Sequence, residues 1–293
     1  MRKTKYSILL IIMILYSEYN LVSARNKPGD RYKIAVVDLM ILKRQKLGAF
    51  PLAAQIGADG LELDMGGLGN RPTFDNKLAI DSVRQQFLNA AKENNLEICS
   101  LAMTGFYAQS LPTRDGVVNT VQDCIETMKL MGIKTAFLPL GVEGDLVKFP
   151  ERRQAIVNRL HEIGKNAEKA GVIIGIETSL DATSESQLLK DINSPAVKIC
   201  FNFANPLSAG RDLISELKIL GAENICEIHA TNKDGVWLQH DSSIDMYKVK
   251  KTLDKMGWKG WLVVERSRDA NKPRDVKGNF SANVAYLKSV FKN

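Results

Sequence analysis

Gly171-Val-Ile-Ile-Gly-Ile-Glu-Thr-Ser179 is a β-branched run, too short and too often broken by glycine to be a helix, that ends on the acid Glu177. A buried strand that stops at a carboxylate is how a parallel α/β barrel presents a reactive group, because residues at strand C-termini face the pocket formed by the βα loops. The same shape returns at Gly260-Trp-Leu-Val-Val-Glu-Arg266, which ends on Glu265. Two such strands imply two carboxylates facing one site.

Working outward, strands are expected at 33–38, 60–64, 97–102, 134–139, 172–177, 197–202, 224–229 and 261–265, each followed by a helical stretch. Eight strand–helix units without internal repeats are the count of a single-domain (β/α)8 TIM barrel. Helical period supports this: Val118, Val121, Ile125 and Met128, and likewise Met246, Val249, Leu253 and Met256, step by three or four residues. Each set forms one apolar stripe for packing on a sheet. Gly57, Gly132, Gly171, Gly221 and Gly257 stand just before strands, where a left-handed residue ends a helix. The longer connections follow the strands, at 104–116, 141–150 and 232–243, the side on which a barrel builds its site.

The N-terminus reads differently. Arg2, Lys3 and Lys5 precede an uncharged run from Ile8 to Tyr16 and then Val22-Ser23-Ala24, the order of a cleavable signal peptide spanning 1–24. Residues 25–31 form a polar connector, and 32–293 form the barrel. The expectation is a secreted or periplasmic protein with no membrane contact after cleavage. Losing three positive charges and one negative lowers the net charge from +7 to +5. No dense basic block with interleaved aromatics marks a nucleic-acid surface. Cys99, Cys124, Cys200 and Cys226 lack close pairing and read as free core thiols, with no metal site built of sulfur.

Counting by twos from the strand ends puts Gly175 and Glu177, Cys200 and Asn202, Glu227 and His229, and Val263 and Glu265 on the barrel interior. Glu177, Asn202, His229 and Glu265 thereby meet at the mouth of four consecutive strands. Carboxylates held that close must share a proton or a cation, and the imidazole and amide beside them favour a divalent ion, Mn²⁺, Mg²⁺ or Zn²⁺. The same parity places Lys198 and Glu227 inside on adjacent strands, where an ion pair between them is expected. Expected carbohydrate contacts are Glu62, Asp38, Asn205, Lys233, Arg266 and Trp237, with Phe106 and Tyr107 also available to stack on a sugar ring. Pairing of Arg266, Arg268 and Lys233 with Asp234 and Asp269 at the rim is the alternative for those cations. His161 falls on a helix surface and His240 in a loop.

In order, Gly-Leu-Glu-Leu (60–63), Gly-Ile-Glu-Thr (175–178), Cys-Phe-Asn-Phe-Ala-Asn-Pro (200–206), Glu-Ile-His-Ala-Thr-Asn (227–232) and Gly-Trp-Leu-Val-Val-Glu-Arg-Ser-Arg-Asp (260–269) resemble the sugar phosphate isomerase/epimerase family with its xylose isomerase-like barrel. The resemblance covers the whole stretch after the connector. It implies one divalent metal held by Glu177, Asn202, His229 and Glu265, with the two glutamates acting as acid and base on opposite faces of a ketose or related sugar, and Glu62 near substrate. Two positions depart from the pattern: Asn202 stands where the family has Asp, and Thr231-Asn232 where Lys-Asp commonly follows the histidine. Both departures weaken the case for activity more than the case for fold.

The leading expectation is an exported, metal-dependent sugar isomerase or epimerase that abstracts a proton next to a carbonyl. The same groups could eliminate a β leaving group, so a lyase on keto-glycosides is the close alternative. A sugar-binding barrel without catalysis is the alternative of another class. Three histidines are too few for a multi-metal endonuclease site. Export favours neutral sugars over phosphosugars, and a homo-oligomer is left open.

Overall fold

The computed structural model describes residues 31–292; the signal peptide read at 1–24, its cleavage point and nearly all of the 25–31 connector lie outside the described residues. The strands are β1 (Tyr32–Val37), β2 (Gly60–Asp64), β3 (Glu97–Ala102), β4 (Thr135–Pro139), β5 (Ile173–Glu177), β6 (Val197–Asn202), β7 (Ile225–His229) and β8 (Gly260–Val264). All pair in parallel and in sequence order, and β8 closes on β1. This is the expected barrel, with each strand within about one residue of its expected bounds.

The outer ring is made of α1 (Ala49–Ile56), α2 (Asp81–Glu93), α3 (Val117–Met131), α4 (Arg153–Ala170), α5 (Ala182–Ile192), α6 (Leu213–Leu220), α7 (Met246–Met256) and α8 (Val276–Phe291). One face of each packs on the sheet: Val117, Val121, Cys124, Ile125 and Met128 of α3 are buried, as are Met246, Val249 and Leu253 of α7. Side-chain oxygens of Asp181, Asp212, Asp245 and Asp275 accept backbone N–H groups at the starts of α5 to α8. α1, α3, α4 and α7 end on left-handed glycines, Gly57, Gly132, Gly171 and Gly257. Gly221 departs from the expectation: at φ 75° and ψ 159° it redirects the chain into a 3-10 turn at 222–224.

The large apolar cluster lies between the helices and the outer face of the sheet. Inside the barrel the apolar groups are smaller: Ala35, Val37, Cys99 and Val263 form one cluster, and Ala102, Phe137 and Cys200 another. The remaining interior is polar. Two bulges shape it, at Leu61/Glu62 opposite β3 and at Ile199/Cys200 opposite β7, each inserting one residue, Cys99 or Cys226. All four cysteines are free. No described helix is long and apolar enough to cross a membrane.

Candidate active site

Strand ends carry the site. Glu177 ends β5, Asn202 ends β6, His229 ends β7 and Glu265 follows β8 by one residue, so alternation points all four side chains inward at the same mouth. The His229 Nδ1 lies 4.0 Å from Glu177 Oε2 and 3.9 Å from Glu265 Oε2. The Asn202 Nδ2 lies 3.4 Å from each of the same two oxygens. The four sequence candidates therefore converge on one point. Burial and then the neighbouring Glu265 raise the Glu177 pKa. Burial would depress the His229 imidazolium, but the Cys200 sulfur and the Glu62 carboxylate outweigh it and hold its pKa well above the usual value.

Whether a divalent ion fits is answered by this geometry. Ligands at ~2.1 Å from a common centre stand about 3.0 Å apart at right angles and about 3.4 Å apart in a tetrahedron. The separations of His229 Nδ1 from the two glutamates, 3.9 and 4.0 Å, need a contraction of about half an ångström or more to reach these values, and both ring nitrogens of His229 are buried without a hydrogen-bond partner. Glu177, Glu265 and His229 thus fit a cation. Asn202 is oriented otherwise: its Oδ1 accepts the Ala204 N–H at 2.9 Å, which only an oxygen can do, so its NH₂ faces the glutamates. Half a turn of the amide, at the cost of that bond, would bring the oxygen into the set.

A cavity of about 220 Å³ opens beside Glu177, with Tyr107, Asp145, Lys148, Ser179 and Asn205 in its walls. The Tyr107 hydroxyl donates to Glu177 Oε2 at 3.4 Å, and Asn205 Nδ2 donates to Glu177 Oε1 at 3.3 Å and to the Thr178 carbonyl at 3.0 Å. Asn205 is where the sequence put it. Arg266 is half-exposed with its guanidinium 3.6 Å from Glu265, also at the mouth. Lys233 is exposed on the β7 loop, while Arg268 is paired with Asp234, as the rim alternative anticipated for that arginine.

Five expectations need correction. Glu62 is not at the mouth: β2 runs on to Asp64, which leaves Glu62 in mid-barrel, fully buried, accepting the Ser100 hydroxyl at 2.8 Å. Asp38 is also fully buried, and its carboxylate is occupied by the backbone N–H groups of Gln45 and Asp64, at 2.8 and 3.0 Å. It braces the β1 and β2 loops and has no surface for a sugar. The Trp237 indole N–H donates to Asn279 on α8, and its ring stacks on His240 with centroids 5.6 Å apart. Phe106 is wholly buried against Phe74, so Tyr107 is the aromatic left beside Glu177.

The fifth correction concerns Lys198 and Glu227, which do not pair. Lys198 stands near the start of β6 and lines an outer cavity with Glu223 and Asn224. The β6–β7 register sets Glu227 opposite Cys200, two residues above Lys198, where its Oε1 is 3.6 Å from His229 Nε2. Burial and then Glu62 push its pKa up to about 7. Burial would raise Glu62 as well, but His229 outweighs that and lowers it. Its two-residue spacing from His229 places Glu227 inside the barrel; what the sequence missed is that its neighbour there is the imidazole and not Lys198. Cys200, Glu227 and His229 offer ligand atoms within 4.8 Å of one another, a mixed sulfur, oxygen and nitrogen group that was not anticipated.

Residues 50–290 match the family described as the xylose isomerase-like TIM barrel. A curated relative, the 2-epi-5-epi-valiolone 7-phosphate 2-epimerase of Actinoplanes sp., is 27% identical over 184 residues, covering 60% of this chain and 65% of the relative's length. Among solved structures, 3-keto-D-glucoside 4-epimerase from E. coli superposes with a TM-score of 0.71 at 15% identity, over 88% of this chain and 99% of that one. D-psicose 3-epimerase from Clostridium cellulolyticum, solved with D-tagatose, superposes with a TM-score of 0.71 at 13% identity, over 89% and 100%. At these identities the two structures speak to the fold.

Proposed function

The chain belongs to the xylose isomerase-like TIM barrel family, and from that premise we propose that it is a metal-dependent sugar epimerase or isomerase in which Glu177 and Glu265 exchange a proton with the carbon next to a carbonyl. The observation that carries this reading is the meeting of both carboxylates with the unpartnered Nδ1 of His229 at one buried point beside an open cavity. A divalent ion would be held by Glu177, Glu265 and His229, with Asn202 joining if its amide turns; when bound it supplies polarisation of the carbonyl oxygen, which acidifies the neighbouring C–H.

The rest is the work of side chains. One glutamate removes the proton and the other delivers one to the opposite face, which inverts the centre. Tyr107 and Asn205, both bonded to Glu177, fix that carboxylate and line the pocket for substrate hydroxyls. Burial and the neighbouring Glu265 raise the Glu177 pKa, which strengthens it as a proton acceptor relative to an ordinary carboxylate.

A neutral sugar or keto-glycoside is the proposed substrate class. Lys148 is the one cationic side chain lining the cavity, and its ammonium already lies 3.3 Å from Asp145, so a phosphate would have to break that pair. The Actinoplanes relative is named for a 7-phosphate substrate, which makes the phosphosugar the comparison to run. Export is part of the same proposal, resting on residues 1–24, and is checked by finding Arg25 as the N-terminal residue of the protein recovered outside the cytoplasm.

The test is solvent deuterium incorporation, with Mn²⁺ present, into neutral ketoses, keto-glycosides and the matching phosphosugars. Exchange into a neutral substrate, lost in Glu177→Gln and in Glu265→Gln, is the expected result. β-Elimination from a keto-glycoside without exchange into any ketose would assign the lyase reaction instead. No exchange and no elimination across the panel would overturn the enzymatic reading in favour of a binding barrel.

A further inference from the structure

Beneath His229 the barrel holds a second pair of acids that the proton exchange proposed above does not use. Glu62 reaches in from β2 and Glu227 from β7, and one oxygen of each lies 3.6 Å from His229 Nε2. Both side chains are sealed from solvent, at 0% and 1% exposure. The Ser100 hydroxyl satisfies one Glu62 oxygen, whereas the other, both oxygens of Glu227 and His229 Nε2 itself have no hydrogen-bond partner at these separations. Keeping two carboxylates in such a place is costly unless something donates to them. The ring N–H that faces them is that of His229.

We propose that Glu62 and Glu227 are positioning residues for His229: by jointly accepting its Nε2–H they fix the imidazole tautomer that leaves a lone pair on Nδ1, and they aim that lone pair at the point between Glu177 and Glu265. Once the ring has given up one proton, as an ion at Nδ1 requires, the imidazole carries a single ring proton, and the partner of one nitrogen decides what the other can do. Here the two faces differ. Below, the Glu62 and Glu227 oxygens face Nε2 with the Cys200 thiol close by, while Nδ1 looks into the ligand cluster at 3.9 and 4.0 Å. The Phe137 ring, with its centroid 4.5 Å from that of His229, blocks the side and keeps the imidazole from turning over.

A second cation among Cys200, Glu227 and His229 is the competing use of these atoms. It would need the Nε2 lone pair, and a neutral imidazole has only one lone pair to give, so occupation of this lower position and of the upper one by His229 exclude each other.

This inference rests on His229 being a ligand of the proposed site, and the test separates the two. Chelator-stripped wild-type chain and the double variant Glu62→Gln/Glu227→Gln are titrated with Zn²⁺ by calorimetry and melted without metal. The expected result is one ion per wild-type chain, a Kd about 10- to 100-fold weaker in the variant, and a metal-free Tm equal to or above wild type, because two buried charges are gone. A purely structural pair would lower Tm and leave affinity alone, which overturns the proposal.

Histidine ¹⁵N spectra of the metal-free chain, followed up a pH series until the His229 ring carries a single proton, supply the independent reading. The chain has three histidines, so His229→Asn assigns the signal. Protonated Nε2 in wild type, shifting toward the Nδ1–H form in the double variant, is expected; an unprotonated Nε2 in wild type overturns the proposal. If wild type takes up no ion but shows that tautomer and its loss, the metal-dependent reading fails while the positioning role stands. An ion whose affinity also falls in Cys200→Ala would overturn it in favour of a metal centre among Cys200, Glu227 and His229.

Discussion

Asn202→Asp should convert an amide that donates to the site into a ligand that completes it. In the protein the amide oxygen is held by the Ala204 N–H and the NH₂ lies 3.4 Å from a carboxylate oxygen of Glu177 and of Glu265. An aspartate keeps the Ala204 bond with one oxygen and turns the other to where the NH₂ was. Without metal this is unfavourable: at 3.4 Å and an effective dielectric of ~20, each new carboxylate contact repels by about 5 kcal/mol. With a doubly charged ion ~2.2 Å away, the added carboxylate gains about 15 kcal/mol on the same scale. Proton uptake relieves the empty site, so the repulsion is met only on loading, and the gain in binding is the margin of about 5 kcal/mol, from which desolvation of the full site subtracts further. Half of that margin corresponds to roughly a hundredfold in Kd. Calorimetric titration of chelator-stripped protein with Mn²⁺ should therefore show Asn202→Asp binding about 100-fold more tightly than wild type, with a metal-free Tm below wild type and a larger rise on loading. Equal or weaker Mn²⁺ affinity in the variant would refute the orientation assigned to this amide and the location of the ion.

Glu177→Gln and Glu265→Gln should each reduce deuterium exchange by at least about 10³-fold, with a metal-free Tm no lower than wild type; a variant that retains a tenth of the activity would remove that residue from the proton transfer. Gly175→Ala should cost about 1–3 kcal/mol in urea unfolding, because a Cβ there would stand 2.6 Å from Cys226 Sγ and 3.3 Å from Cys200 Cβ on the barrel interior; an unchanged midpoint would show that the interior yields freely. Burial raises Asp38 and Glu185 to a pKa of about 8 each, with Glu216 adding to the shift at Glu185. A carboxyl whose folded pKa lies above its unfolded value of ~4 contributes stability that is complete below pH ~4 and lost as pH rises through the folded pKa. The free energy of unfolding should therefore decline between pH 5 and 9, and Glu185→Gln, which keeps an acceptor for the Thr178 hydroxyl, should flatten the decline; an identical slope in the variant would count against Glu185 as a source.

Strand and helix periods, glycine stops and the acids at strand ends are local signals, and they were enough for the eight-stranded barrel and for bringing Glu177, Asn202, His229 and Glu265 to one mouth, because alternation along a strand is set by backbone geometry alone. Levels within the barrel are not local. Glu62 and Glu177 both sit two residues after a glycine, in Gly60-Leu-Glu and Gly175-Ile-Glu, yet β5 ends at Glu177 while β2 continues to Asp64, so one acid reaches the mouth and the other is sealed beneath His229. The register of β6 against β7 sets Glu227 opposite Cys200, two residues above Lys198, and gives Glu227 to the imidazole, and no pattern in β6 or β7 read singly reveals where two strands slip past one another. Asn202 shows the same division at the scale of one side chain. Its place in the chain put it among the ligands, and only the Ala204 N–H, positioned by the turn after β6, decided which end of the amide faces them. Sequence determines which way a residue points along its own strand; its depth, its partners and the face it offers depend on stagger between strands that fold together, and those exist only once the barrel has closed.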